Sequence, residues 1–383
     1  MKNNGDMAAI ILAAGLSRRM QRFKPLLPLG TKRVIERVVA IFEDAGIQHI
    51  VVVIGHRAAE VRQAAAPLKV HWVENPIYRQ GMFTSVRAGI QALPGDCQAF
   101  LIHPVDIPLV RHQTVKHLAA AFKDASATIL YPTFDGRRGH PTLIRCDLGP
   151  PIVEWTGTGG LSSFLQRHES KSLELPVADE AVLLDLDTPD DYQRMLDRLA
   201  REGLPSDNEC CELFENIAAL PAPIVAHCRA VADVAQRLAE ALMAAGVAIQ
   251  LEQVRTAALL HDIARTTPNH AQAGARLLES HGFTSLSPLV RAHMDLHTQA
   301  EEPIDEAQVV YLADKLVVGD RWVDLEERFA RKMAKYGNSP AAAGRIAARR
   351  ENARCILAKW EQITGLTIDA ILASPLTRSA KTS

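Results

Sequence analysis

Two sets of polar residues stand out from an otherwise ordinary chain. In the first, the small residues Ala13, Ala14 and Gly15 follow an apolar run ending at Leu12, and Ser17, Arg19 and Lys24 come just after. Small residues let backbone approach a ligand closely, while hydroxyl, guanidinium and ammonium groups donate to phosphate. Asp106 lies just past the apolar run 100–103, where a carboxylate would meet a phosphate-bound Mg²⁺. Asp185 and Asp187 form a further carboxylate pair, expected at a strand end, with Thr188 and Pro189 marking the start of the next helix. GRRGHP at 136–141 reads as a tight basic hairpin, and Asn75 and Gly81 precede Ser85 in the first turn of a helix.

The second set is His227, adjacent His261 and Asp262, and Asp314. Neighbouring side chains on a helix are about 100° apart, so His261 and Asp262 could grip one ion from its flank. Asp314 sits in an apolar stretch, where an ionised carboxylate is costly unless paired or metal-bound. Imidazole with carboxylate suits Fe, Mn or Zn.

The elements that would position these residues change character along the chain. Up to about residue 200, buried β-like runs (8–12, 49–55, 69–74, 100–103, 128–131) alternate with helical runs such as 34–45 and 58–66. This order predicts an α/β Rossmann-like, doubly wound parallel sheet with its ligand site at the carboxyl ends of the strands. The following stretch, 201–219, is turn-rich and polar and reads as a linker. From Pro223 onward the periodicity is helical, predicting an all-α domain over 220–335 and a helical extension and tail over 336–383.

Composition limits the function. Lys and Arg number 43 against 44 Asp and Glu, which argues against nucleic acid as a partner. No apolar stretch approaches the roughly 20 residues a membrane helix needs, so no membrane partner is expected. The run 7–14 is too short for a signal-peptide core, and six scattered cysteines without a CxxC pair suggest a reducing compartment; the chain reads as cytoplasmic. The loop at 12–24 is neither GxGxxG nor a Walker A motif.

The segments LAAGLSRRM (12–20), KPLLP (24–28), NPIYRQGMFTSVRAGI (75–90), PVDIP (104–108), GRRGHP and DLDTPDDY (185–192) occur in an order that resembles the MobA/MocA-like nucleotidyltransferases, and among them the molybdenum-cofactor cytidylyltransferases. The resemblance implies transfer of a nucleoside monophosphate from an NTP to a phosphorylated acceptor. It implies that Leu12, Ala13, Ala14, Gly15, Ser17 and Arg19 hold the nucleotide and that Lys24 stabilises charge at the α-phosphate. Asp106 with Asp185 or Asp187 would bind Mg²⁺, Asn75, Gly81 and Ser85 would contact base and ribose, and Arg138, Gly139 and His140 would face the acceptor. Ala-Ala-Gly at 13–15 resembles the CTP-using members, implying CTP and a molybdopterin-type acceptor. Three positions depart from the pattern: Gln21 stands where glycine is usual, Val105 precedes Asp106 in place of glycine, and 156–164 (TGTGGLSSF) lacks the family's Asp and Arg on the acceptor side.

The spacing His227, His261-Asp262, Asp314 resembles the HD superfamily of metal-dependent phosphohydrolases. His270 and His293, with YLADKL at 311–316, resemble its dinuclear branch, similar to the YqeK-type diadenosine tetraphosphatases. The resemblance implies a divalent centre of Fe, Mn or a similar ion. Lys315 and Arg265 read equally as phosphate-neutralising groups or as solvated charges, and the basic residues 328–335 and 345–354 as helix surfaces. His56, His71, His281 and His297 carry no expected role. An alternative expectation is a pterin-binding chaperone that passes the cofactor to a molybdoenzyme, with a nucleotide-sensing HD domain. A third is nucleotidyl transfer to a sugar or alditol phosphate.

Overall fold

A computed structural model describes residues 6–296 and 302–372. The chain forms two compact units, Met1–Glu202 and Gly203–Ser383.

Besides a small antiparallel pair, Pro28–Leu29 with Lys32–Arg33, the first unit has the strands Met7–Ala13 (β1), His49–Ile54 (β2), His71–Glu74 (β3), Ala99–Pro104 (β4), Ile129–Phe134 (β5), Arg137–Arg138 (β6), Thr142–Arg145 (β7) and Ser172–Pro176 (β8). These eight form one sheet in the order β8-β5-β7-β4-β1-β2-β3, with β6 beside β5. Strand β1 is buried along its whole length, as its unbroken apolar sequence requires, and lies parallel to both β2 and β4. Its residues alternate between two cores. Ile11, Val52 and Leu101 pack with Val38 and Phe42 of helix Val34–Asp44 (α1), while Ile10, Val53 and Ile102 pack with Val86 and Ile90 of helix Met82–Gln91 (α2). Helices therefore cover both faces.

The sheet is mixed where a parallel one was expected. Asp135 and Gly136 both have positive φ, 51° and 65°, and turn the chain from β5 into β6. Strand β7 then runs antiparallel to both β4 and β5. Too few residues separate β5 from β7 for the crossover that a parallel neighbour needs. Strand β8, with half-exposed SLELP, carries no apolar run that would reveal it. Asp185 and Asp187 do not end a strand. They lie in an irregular segment pinned by buried Leu186, whose N–H donates to the Asp106 carbonyl at 2.7 Å. Thr188 does cap the next helix, Pro189–Ala200 (α3), in a capping box with Asp191.

The second unit is helical. Asp207–Glu212 (α4), Ala222–Ala244 (α5), Leu251–Leu260 (α6), His270–Ser280 (α7), Ser287–Ala292 (α8), Glu306–Lys315 (α9), Leu325–Tyr336 (α10) and Pro340–Thr364 (α11) are joined by a single two-residue hairpin, Val317–Val318 with Arg321–Trp322, among the described residues. Helix α5 presents Val231, Ala235, Leu238 and Leu242 inward, the face its sequence predicts. The stretch expected as a linker is folded. Ser206 caps α4 through a capping box with Glu209, and Cys210, Leu213 and Phe214 are buried. The polar SDNE that reads as turn is a helix start. The extension belongs to this unit, since Trp360 of α11 is buried and donates to the Leu238 carbonyl at 3.0 Å. The end of the expected tail, 373–383, and His297 lie outside the described residues. Among the described residues no helix is long and apolar enough to cross a membrane.

Candidate active site and metal centre

In the first unit, β1 and β4 end side by side and release their following loops on the same edge. The Val105 N–H donates to the Leu12 carbonyl at 3.1 Å, tying the Asp106 turn to the Gly15 loop. A cavity of about 190 Å³ opens there, walled by Leu12, Ala14, Gly15, Ser17, Lys24, Ser85 and Asp106. A Cβ on Gly15 would meet nothing, so the loop backbone is open to a ligand. The Lys24 N–H donates to Ser17 Oγ at 3.1 Å and closes the loop on itself. Gln21, at the position where glycine is usual, adopts a left-handed φ of 56°.

The centre of this site is the Lys24 ammonium. Its Nζ donates to Asp106 Oδ2 at 2.9 Å and to Asp187 Oδ1 at 2.7 Å. Arg19, largely exposed, reaches Asp187 Oδ2 at 2.8 Å. Burial alone would pull the Lys24 pKa down, but the bonds to Asp187 and Asp106 raise it above its ordinary value. Asp185 lies beside them, and burial, then Asp106 and Asp187, push its carboxyl up. Three carboxylates thus lie near one another, the oxygen chemistry that suits Mg²⁺, although among the described residues only the second unit brings three such ligand atoms within 4.8 Å of one another. The position between Asp106 and Asp187 is taken by Lys24.

Other expected residues fall behind or beside the cavity. Ala13 is buried in the sheet. Gly81 caps α2 with φ 118°, a conformation that favours glycine. Asn75 is buried, and its amide donates to Thr84 Oγ1 at 2.8 Å and Ser85 Oγ at 2.9 Å, so its donors hold the start of α2. Arg138 turns away: its guanidinium pairs with Glu169 and Glu174 and covers Tyr131. Gly139 is pressed on Val182, where a Cβ would lie 2.6 Å from the Val182 carbonyl oxygen. His140 is nearly buried; burial lowers its pKa and nearby Asp106 partly opposes this. Two residues of this site carry no expected role. Tyr78 lines the cavity, and buried His103 bonds the Ile107 carbonyl at 2.8 Å through Nε2, bracing the turn that carries Asp106. A single tyrosine in a short turn, or a single histidine near the end of an apolar strand, has no spacing signal that would mark it.

In the second unit the expected residues converge. His227, His261 and Asp262 form one trio and Asp262, His270 and His293 another, with the ligand atoms of each within 4.8 Å. Asp262 serves both. Its Oδ2 lies 3.6 Å from His261 Nε2, and its Oδ1 lies 3.2 Å from His270 Nε2 and 3.5 Å from His293 Nε2. Asp314 Oδ1 completes the first trio at 3.4 Å from His227 Nε2 and 3.8 Å from His261 Nε2. Nδ1 of His227, His261 and His293 faces the carbonyls of Gly319, Ala258 and Val290 at 2.9, 2.7 and 2.6 Å. A carbonyl only accepts, so Nδ1 carries the proton and each Nε2 lone pair is aimed inward. His261 Nε2 and Asp262 Oδ1 are buried and have no hydrogen-bond partner, which is what metal ligands without their ion would show. Burial pushes His261 down to about 4, keeping it neutral, while His270, His293, His261 and Arg265 outweigh burial and hold Asp262 well below the usual carboxylate range.

The sequence reading of this centre needs three corrections. His261 and Asp262 lie just past α6, in the turns that follow Leu260. Lys315 is neither at the substrate face nor solvated: it is buried, and Nζ donates to Asp314 Oδ2 at 2.6 Å and to the His293 carbonyl at 2.9 Å. Arg328 is not on a helix surface but buried against Asp314. Arg265 does stand at the rim, half-exposed, 3.6 Å from Asp262 Oδ1.

Comparison with known proteins gives a family match in each unit. Residues 9–172 match the family described as the MobA-like NTP transferase domain, and residues 224–319 match the HD domain. The chain therefore carries a nucleotidyltransferase domain related to cytidylyltransferases, followed by an HD domain of the kind typical of phosphohydrolases; domains of both kinds bind divalent metals. Over 184 residues it is 28% identical to the molybdenum cofactor cytidylyltransferase of Escherichia coli K12, covering 48% of this chain and 92% of that protein. Over 147 residues it is 35% identical to the bifunctional protein GlmU of Burkholderia mallei, covering 37% of this chain but only 32% of that protein. Among solved structures, Rv0371c of Mycobacterium tuberculosis H37Rv aligns at 26% identity over 50% of this chain and 98% of its own, with a TM-score of 0.44.

Proposed function

We propose that the chain is a bifunctional enzyme. The first unit transfers CMP from CTP to the phosphate of a molybdopterin-type acceptor with release of pyrophosphate, and the second hydrolyses a phosphorylated substrate at a metal centre. The observation that carries the first reading is the Lys24 ammonium, held between Asp106 and Asp187 beside the Gly15 loop. In this reaction an acceptor phosphate oxygen attacks the α-phosphorus, the bond from that phosphorus to the β-phosphate breaks, and pyrophosphate leaves. Positioning and charge neutralisation do most of the work. The Gly15 loop and Arg19 bind the triphosphate, and Lys24 stabilises charge developing at the α-phosphate. Ser85, braced by Asn75, contacts the base and ribose. Asp106, with Asp185 or Asp187, would hold Mg²⁺ once Lys24 is drawn from between them to the triphosphate, and the ion when bound would neutralise phosphate oxygens.

In the second unit, His227, His261, Asp262 and Asp314 would hold one divalent ion, and Asp262, His270 and His293 a second. Imidazole with carboxylate supports Fe or Mn. A bound ion supplies an activated water and polarises a phosphoryl oxygen. Arg265, at the rim, neutralises the substrate phosphate.

A sugar or alditol phosphate as acceptor is a second reading. It is favoured by the engagement of Arg138 with Glu169 and Glu174 and by the uncharged segment 156–164. A competition assay decides between them. With α-phosphate-labelled CTP and both acceptors present, label on the pterin is expected. Label on the alditol phosphate would select the second reading, and label on neither would overturn both.

A further inference from the structure

The second metal trio lies wholly within residues that match the HD family, but the first is buttressed by a side chain from beyond that match, which ends at residue 319. Helix α10 brings Arg328 back under the C-terminal end of α9. Its Nη1 donates to the backbone carbonyls of Asp314 and Val317, and its Nη2 lies 3.5 Å from Asp314 Oδ1. Lys315 approaches the same carboxylate from the other oxygen, Oδ2, at 2.6 Å. The Lys315 ammonium also holds the His293 carbonyl at 2.9 Å, so one buried cation touches an Asp of the first ligand group and the backbone of a histidine in the second. Both cations are buried, Lys315 at 2% and Arg328 at 7% exposure. Neither is available to a substrate.

Two buried cations on one carboxylate need a reason. Asp314 could be neutralised by Lys315 alone, and Arg328 leaves its own Nε buried without a partner. A guanidinium has a rigid planar fork, so its bonds to two carbonyls and its approach to one carboxylate oxygen fix direction as well as charge. That direction matters because Asp314 Oδ1 is the oxygen facing His227 and His261 Nε2. Outer residues that orient a metal ligand typically govern metal affinity by about 10- to 100-fold.

We infer that Arg328 is a positioning residue for the metal centre: together with Lys315 it locks Asp314 toward the His227–His261 ion, so that the HD centre of this chain is completed by the helix that follows the HD match. The inference rests on the reading of Asp314 as a metal ligand.

The test is Mn²⁺ binding to the full chain, followed by the electron paramagnetic resonance of unbound Mn²⁺, with Arg328→Met, Arg328→Lys and Asp314→Asn beside wild type. Circular dichroism checks folding. Wild type should bind two ions. Arg328→Met should weaken one of them by about 10- to 100-fold and leave the other unchanged, and Arg328→Lys should recover part of the loss. Asp314→Asn should weaken that same ion. If Arg328→Met does not fold, a folded Arg328→Lys should still show a selective loss at one ion. Two ions bound with wild-type affinity by either folded Arg328 variant would overturn the inference while leaving the metal reading intact. No binding by wild type, or unchanged binding by Asp314→Asn, would overturn the metal reading and the inference with it.

Discussion

Lys24 bonds two carboxylates at once, and the proposed chemistry of the first unit rests on it. Replacing it with Met removes the cation while keeping most of the stem. Pyrophosphate release should then fall by about 10²–10³-fold, the loss typical of one charge-stabilising donor, with folding checked by circular dichroism. A loss below tenfold would place the catalytic charge elsewhere. Gln21 offers a stability test. A left-handed φ costs an ordinary residue about 1–2 kcal/mol, against about 0.5–1 kcal/mol for the added chain entropy of glycine, so Gln21→Gly should stabilise by roughly 0.5–1 kcal/mol in urea unfolding. His103 supplies the pH dependence. Burial, then His140, lower it from 6.5 to about 3, so the folded state keeps it neutral while the unfolded chain protonates it. Its contribution is full above pH 6.5 and is lost as pH falls toward 3. His103→Gln should flatten the acid limb of stability between those values, and an unchanged slope would show that other groups set it.

Helix α2 shows how an element fixes a site. Gly89 lets it lie close on β1 and β2: a Cβ there would sit 2.4 Å from Ile10 Cγ2 and 3.2 Å from Val53 Cγ2. Gly89→Ala should therefore lift the helix, costing about 1–3 kcal/mol and weakening CTP binding through Ser85, one turn earlier, as measured by calorimetry. Stability lost with unchanged CTP affinity would show that Ser85 does not contact the nucleotide. Elements with a strong period were plain in the sequence: β1 and β2 as unbroken apolar runs, α1 and α5 as one-sided helices. Features that depend on distant partners were not. The reversed β7 follows from a short connection, β8 is a polar edge, and SDNE at 206–209 is a capping box that looks like a linker until the buried residues after it are seen.

The residues proposed as ligands in both units stood out in the sequence because their chemistry is costly without a partner: Asp106 after a strand, His261-Asp262 at the end of an apolar helix, Asp314 in an apolar face. Their supports were not. Asn75, Lys315 and Arg328 are polar residues of common types whose roles come from what they touch, and Arg138 pairs with acids that are distant in sequence. At the scale of the molecule, the two units make separate demands. CTP with Mg²⁺ should raise the unfolding temperature of the first and Mn²⁺ that of the second, each by mass action of about 2.7 kcal/mol at a hundredfold excess over Kd. The most direct test of the central claim is pyrophosphate release from each of the four NTPs with Mg²⁺, with and without molybdopterin, in wild type and Lys24→Met. Release from CTP that requires the pterin and collapses in the variant is the result this account predicts. Release that ignores both the pterin and Lys24, or none from any nucleotide by folded protein, would contradict it.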